Sequence, residues 1–180
     1  MDIGERSNLI GIIATTEMMT FVHSLPASAW TELNSRPKEL EPNAGTRNLP
    51  SIFREIADNG DVSTKTFTNT TKLTELYTPM VQMVNNHYPD DELVVKQAVI
   101  VSIEPNKGVE PQAGPAMVHT NPHRVYWVLE GDYADMNYVI KDQKIDIGQG
   151  DVVEVNNEMV HSVTYTGSKP QYTLIIDFGT

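Results

Sequence analysis

Three histidines and an arginine in the second half of the chain have the types and spacing to do chemistry. His119 and His123 stand four apart within "PQAGPAMVHTNPHRVYWVLEG", residues 111–131, and His161 opens a later apolar segment. Imidazole binds transition metals through either ring nitrogen, so such a set could hold an ion. The chain has no cysteine, which leaves nitrogen and oxygen ligands for any metal and excludes disulfides and a thiol nucleophile. Arg124 begins an apolar run. Strand alternation would put Arg124, Tyr126 and Val128 on one face, with Val125, Trp127 and Leu129 on the other. An inward arginine needs an anion, either a bound carboxylate or phosphate, or a structural partner such as Asp151 or Asp177. The plainer alternatives are two solvent histidines around an Asn121-Pro122 turn and a His161 bonded to backbone. His23 and His87 carry no motif, and Asn156 and Asn157 are most simply turn formers.

The elements that must position these residues change character along the chain. Residues 1–92 are helical and mixed, with a short apolar patch, "LIGIIA", near the start. "PSIFREIAD" is expected as a short helix opened by Pro50 and ended by Asn59-Gly60. "KLTELYTPMVQMVNNHY" places Leu73, Leu76, Tyr77, Met80, Met83, Val84 and His87 at helical spacing. Pro79 either kinks that helix or starts it with Thr78 as cap; the whole run is expected to be helical, packed by its Leu/Met face, with His87 on the flank. Residues 93–180 read as short strands: "LVVKQAVIVSIE", "HRVYWVLEG", "MNYVIKD", "KIDIGQGDVVEV", "HSVTYTG" and "YTLIIDF". No repeat or linker interrupts them, so residues 1–180 form one domain. Helices followed by strands give an α+β class, with the helices covering one face of a β-sandwich.

Composition narrows the function. Hydrophobic residues at 39% and charged residues at 21% fit a soluble globular protein. No apolar run approaches the roughly 20 residues of a membrane helix. The N-terminus lacks the basic leader of a secretory signal, so a cytoplasmic location is expected. A formal charge of −11 argues against nucleic acid as a partner, because phosphate binding relies on lysine and arginine.

The order of motifs carries more than the composition. "YTPMVQMVNNHYPDDELVVKQAVIVSIEPNKGVEP" leads into a loop with proline and glycine, and "GDVVEVNNEMVHSVTYTGSKPQYTLIID" sets a Gly-Asp turn, an Asn pair, a histidine and a closing Ile-Ile-Asp in sequence. Together these segments resemble the double-stranded β-helix, the jelly-roll barrel shared by cupins and Fe(II)/2-oxoglutarate oxygenases. The likeness is greatest to the aspartyl/asparaginyl β-hydroxylase type, and "LPASAWTELNSRP" and "GTRNLPSIF" match it loosely upstream.

The resemblance implies a site. In such oxygenases a histidine two residues before an acid, plus a distal histidine, hold iron, and an arginine on a late strand clamps the cosubstrate carboxylate. His161 matches the distal histidine, and Arg124 an arginine that faces the cosubstrate in the hydroxylase type. The other positions depart from the pattern: Gln112 replaces the first histidine, Gly114 the acid and Gln171 the late-strand arginine. A second register keeps a metal, with His119 and His161 as ligands and Asn121 in place of the acid. Cupin spacing gives a related match through Met117-Val118-His119, Arg124 and Gly131.

The leading expectation is a non-catalytic member with no cofactor. Gln112, Arg124, Tyr126, His161 and Gln171 would line a barrel mouth, with the loop histidines nearby, and bind a small anionic ligand or a peptide. The alternative is an active hydroxylase that uses Fe(II) and 2-oxoglutarate, with His119 and His161 on the metal and Arg124 or Lys169 on the cosubstrate. A third possibility is an acidic interaction protein on a barrel scaffold.

Overall fold

The computed structural model describes residues 7–31, 45–56, 62–112, 123–131, 133–156 and 158–180. The first half supplies strand β1 (Ser7–Ile12), helix α1 (Thr16–Ser24), strands β2 (Thr46–Ile56) and β3 (Val62–Thr66), and helix α2 (Thr70–His87). The short helix expected at "PSIFREIAD" is instead the second half of β2. Ile52, Phe53 and Ile56 satisfy a helical period, but strand partners run along this segment, β4 up to Ile52 and β3 from Ile52 onward. Ladder pairing with one strand or the other runs from Thr46 to Ile56, and that outweighs a weak local preference. Pro50 sits where only β4 is beside the strand, next to a register shift between Pro50 and Ile52. A missing N–H is tolerated there.

Helix α2 runs unbroken through Pro79 and buries Leu73, Tyr77, Met80 and Val84, the face its spacing anticipates. Thr78 is therefore inside the helix rather than a cap, and its hydroxyl donates to the Thr74 carbonyl at 2.8 Å. His87 is exposed, as expected of a helix flank.

The second half forms β4 (Val94–Ile103), β5 (Gly108–Gln112), β6 (His123–Glu130), β7 (Met136–Ile140), β8 (Gln143–Ile145), β9 (Asp151–Val155), β10 (His161–Tyr165) and β11 (Gln171–Gly179). "KIDIGQGDVVEV" is thus two strands rather than one. Strands β7 and β8 make a hairpin in which Ile140 pairs with Gln143, so its turn is only Lys141-Asp142. Both turn residues have positive φ, 47° and 65°, as a two-residue type I′ loop requires. Lys-Asp is not the usual Asn-Gly signal, so nothing local marked this hairpin.

Two antiparallel sheets result, with orders β1-β9-β6-β11-β4-β2-β3 and β5-β10-β7-β8. From β4 to β11 the chain steps repeatedly between them: β4, β6, β9 and β11 lie in the large sheet, and β5, β7, β8 and β10 in the small one. That winding is the double-stranded β-helix. Strands β1, β2 and β3 extend the large sheet at both edges, so the first half contributes strands to the barrel wall as well as helices.

Two cores follow from strand alternation. Val125, Trp127 and Leu129 of β6 pack with Leu174 and Ile176 of β11 against Met18, Val22, Leu73, Tyr77 and Met80 of the helices. Each fully buried Leu, Ile or Phe contributes about 1.5–3 kcal/mol relative to exposure. Tyr126, Tyr138, Ile140, Val153, Val163 and Tyr165 fill the space between the sheets. The division of β6 into two faces is the one expected from its sequence. At its end Gly131 has a φ of 146°, and a Cβ there would meet Gln171 Cγ at 2.7 Å, so the turn needs glycine. Among the described residues no helix is long and apolar enough to cross a membrane.

Candidate functional site

One end of the barrel, where β5 and β11 finish and β6 and β10 begin, gathers polar side chains on the inner face. Arg124 lies directly opposite Asp177 in the β6–β11 ladder, and Asp177 lies opposite Gln97 of β4. The Arg124–Asp177 contact is bidentate, with Nε donating to Oδ1 at 2.6 Å and Nη2 to Oδ2 at 2.8 Å. The Asp177 side chain is 2% exposed and the Arg124 side chain 17%. Burial by itself would lower the arginine pKa, but the charge and hydrogen bonds of Asp177 outweigh it and raise the net value. Of the anions considered for Arg124, Asp177 holds it. Asp151 instead accepts from the Gly148 N–H at 2.6 Å.

From the small sheet, Tyr138 and His161 face this pair. His161 is buried, and its Nδ1 lies 3.0 Å from the Met159 carbonyl. A carbonyl only accepts, so Nδ1 carries the proton and neutral His161 presents its lone pair at Nε2. Burial, joined by the charge of Arg124, lowers its pKa from 6.5 despite the opposing carbonyl bond. Tyr138 is buried, and its ring meets that of Tyr126 edge-on at 5.7 Å. Burial first, and then the adjacent Tyr126, raise its pKa, while Arg124 pulls it down. The two hydroxyls are close but lack hydrogen-bond geometry, so the Tyr138 hydroxyl has no partner among the described residues.

The other expected site residues are dispersed. The backbone of Gln112 pairs directly with His161. Gln171 lies at the far end of β11, paired with Ile103 and about 20 Å along the strand from Asp177. It is buried there, with its amide bonded to the Thr173 hydroxyl. Lys169 is exposed in the loop before β11, also at the far end. Gly114, His119 and the Asn121-Pro122 turn fall outside the described residues.

His123 departs from expectation. It is neither a solvent histidine nor part of the barrel mouth, because alternation turns it to the opposite face from Arg124. There its Nδ1 lies 2.6 Å from Glu154 Oε1, its ring lies tilted against that of Tyr88 with centroids 4.6 Å apart, and Asp91 is 4.0 Å from Nε2. The Tyr88 hydroxyl donates to the other oxygen of Glu154. Burial raises the Glu154 pKa, but the His123 and Tyr88 hydrogen bonds prevail and lower it from 4.5. Both residues missed at the sequence level left a signal: Glu154 is an acid inside "VVEV", and Tyr138 alternates with the buried Met136 and Ile140. Asn156 forms the expected turn, its side chain accepting from the Glu158 N–H at 3.2 Å.

Among the described residues no group of three His, Asp or Glu could hold a metal, and the arginine nearest His161 is held by Asp177.

The fold defines a class: a double-stranded β-helix of the kind found in 2OG-Fe(II) oxygenases and cupins. No family model matches the chain, and no curated protein matches its sequence. Solved structures do. AviO1 from Streptomyces viridochromogenes Tue57 is 14% identical over 98% of this chain and 90% of its own, with a TM-score of 0.60. The viral collagen prolyl hydroxylase of Paramecium Bursaria Chlorella virus-1, in complex with 2OG, is 6% identical over 98% and 97%, with a TM-score of 0.59. A 2OG-Fe(II) oxygenase family oxidoreductase from Burkholderia pseudomallei is 9% identical over 74% and 67%, with a TM-score of 0.58. At such identities the likeness is one of fold.

Proposed function

We propose that this chain is a non-catalytic, ligand-binding member of the 2OG-Fe(II) oxygenase superfamily, of the aspartyl/asparaginyl hydroxylase-like branch, which needs no cofactor and acts in the cytoplasm on a small ligand or peptide segment. One observation carries the reading: Arg124, the residue matched to the cosubstrate, is held bidentately by Asp177. A free carboxylate would have to displace a partner tethered on the adjacent strand, whose effective concentration is far above that of any solute. Gln112 opposite His161 supports the same conclusion, because a neutral amide is a poor ligand for divalent iron beside imidazole. Incubated with Fe(II), ascorbate, oxygen and 2-oxoglutarate, the protein should release no succinate above buffer.

One observation favours the alternative of an active hydroxylase using His119 and His161. The Nδ1 proton of His161 is held by a backbone carbonyl and its Nε2 has no hydrogen bond among the described residues, an arrangement typical of metal-bound histidine. Robust succinate formation, abolished by His119→Ala, would establish that alternative and remove the first.

A further inference from the structure

The inner face of the barrel mouth has polar groups but little net charge. The guanidinium of Arg124 and the carboxylate of Asp177 cancel, bonded through two hydrogen bonds of 2.6 and 2.8 Å. His161 is buried, with Nδ1 held 3.0 Å from the Met159 carbonyl, so Nε2 is the ring's open position. Gln97 is an amide placed beside Asp177 in the ladder. On the small-sheet side, two hydrogen-bonding atoms lack partners among the described residues. His161 Nε2 can accept, since Nδ1 donates to Met159. The Tyr138 hydroxyl can donate, and on this residue, 2% exposed, it is buried without a partner among the described residues. Tyr138 and His161 are near neighbours on the inner face, since Tyr138 pairs with Val163 and Ile140 with His161. A buried hydroxyl with no acceptor is rare in folded proteins and points to a group that completes it.

We propose that Asp177 determines the ligand class of this site: by occupying Arg124 it excludes carboxylates, so that the mouth takes an uncharged polar ligand that donates to His161 Nε2 and accepts from the Tyr138 hydroxyl. The proposal rests on the non-catalytic reading above and narrows it. The earlier expectation of an anionic ligand assumed an Arg124 free to meet one. With the guanidinium engaged, an incoming carboxylate meets Asp177 as a like charge and, among the described residues, finds no unpaired cation at the mouth to repay its desolvation. A primary or secondary amide, or an alcohol, has the needed donor and acceptor within one small group.

The test uses the full chain, titrated with N-methylacetamide and 2-pyrrolidinone as uncharged probes and with succinate as the anionic one. Binding is read from the imidazole nitrogen signals of His161 by NMR and from calorimetry. In the unmodified protein the uncharged probes should shift the His161 signals and succinate should not. Asp177→Asn frees the guanidinium and should bind succinate about tenfold or more tightly than the parent chain. Asp177→Ser is the second variant, and circular dichroism verifies its fold. Should neither variant fold, the parent chain still decides through its choice between probes. If the uncharged probes leave His161 unshifted, Tyr138 meets only an ordered water and the proposal is overturned. Equal succinate affinity in parent and Asp177→Asn overturns it as well. Succinate binding by the parent without turnover of 2-oxoglutarate would sink this inference alone, whereas turnover would sink the non-catalytic reading.

Discussion

Arg124 and His123 are neighbours on β6, yet their acidic partners lie on opposite faces of the large sheet. On the inner face, Arg124 meets Asp177 through two bonds, from Nε and Nη2, and both groups belong to paired strands in register. On the helix face, Glu154 is shared between His123 from β6 and Tyr88 just after α2. The first pair neutralises a cation that would otherwise face the barrel interior. The second joins α2, β6 and β9, and so fixes where β6 begins. Two buried carboxylates on one sheet therefore serve different ends. One governs what the barrel can bind, and the other holds the strand that presents it.

The largest effect should come from breaking the inner pair. Arg124→Met leaves the buried Asp177 without its cation and should cost about 3–5 kcal/mol in urea unfolding, with the Arg124→Met/Asp177→Leu double variant recovering most of it. A loss below about 1 kcal/mol would class the pair with surface ion pairs. The outer pair should be more tolerant. His123→Phe keeps a ring against Tyr88 but removes one donor to Glu154, and should cost about 1–3 kcal/mol, since the Tyr88 hydroxyl still donates. A greater loss than for Arg124→Met would reverse the comparison.

Acid separates the two faces further. The Glu154 pKa is lower folded than unfolded, so its contribution is complete above its ordinary 4.5 and disappears as pH falls through the folded value. Glu154→Gln should flatten that acid limb of the stability curve. A smaller effect belongs to His161, whose folded pKa also lies below the unfolded 6.5. The unfolded chain then binds more protons in the window below 6.5, so stability declines as pH drops through it. His161→Asn should abolish that slope, and an NMR titration showing His161 at or above 6.5 would contradict the buried neutral imidazole.

Much of this was legible in local pattern. The two faces of β6 follow from alternation, helix α2 from its apolar spacing, and the succession of short strands from turn residues at intervals. Residue types at the site were visible too, including the glutamine whose backbone pairs with His161. Other features left an ambiguous trace. The segment after Pro50 has an apolar spacing that serves helix or strand, and only its neighbours β3 and β4 select the strand. The Lys141-Asp142 turn has residues that merely tolerate positive φ, so the hairpin register depends on the strands it joins.

The sequence by itself determined which groups were available: an arginine leading an apolar strand, two aspartates that could answer it, and histidines before and after. Local chemistry and a period of two suffice for that, because they need no knowledge of distant segments. Only the tertiary structure decided which partners meet. Arg124 reaches Asp177 because β11 runs antiparallel beside β6 in one register, and a slip of one residue would turn that aspartate to the helix face. His123 leaves the mouth for the same reason, since its face is occupied by α2 and the carboxylate of Glu154. Partner choice is a property of strand order and register, which pair residues dozens of positions apart, and no local pattern encodes it.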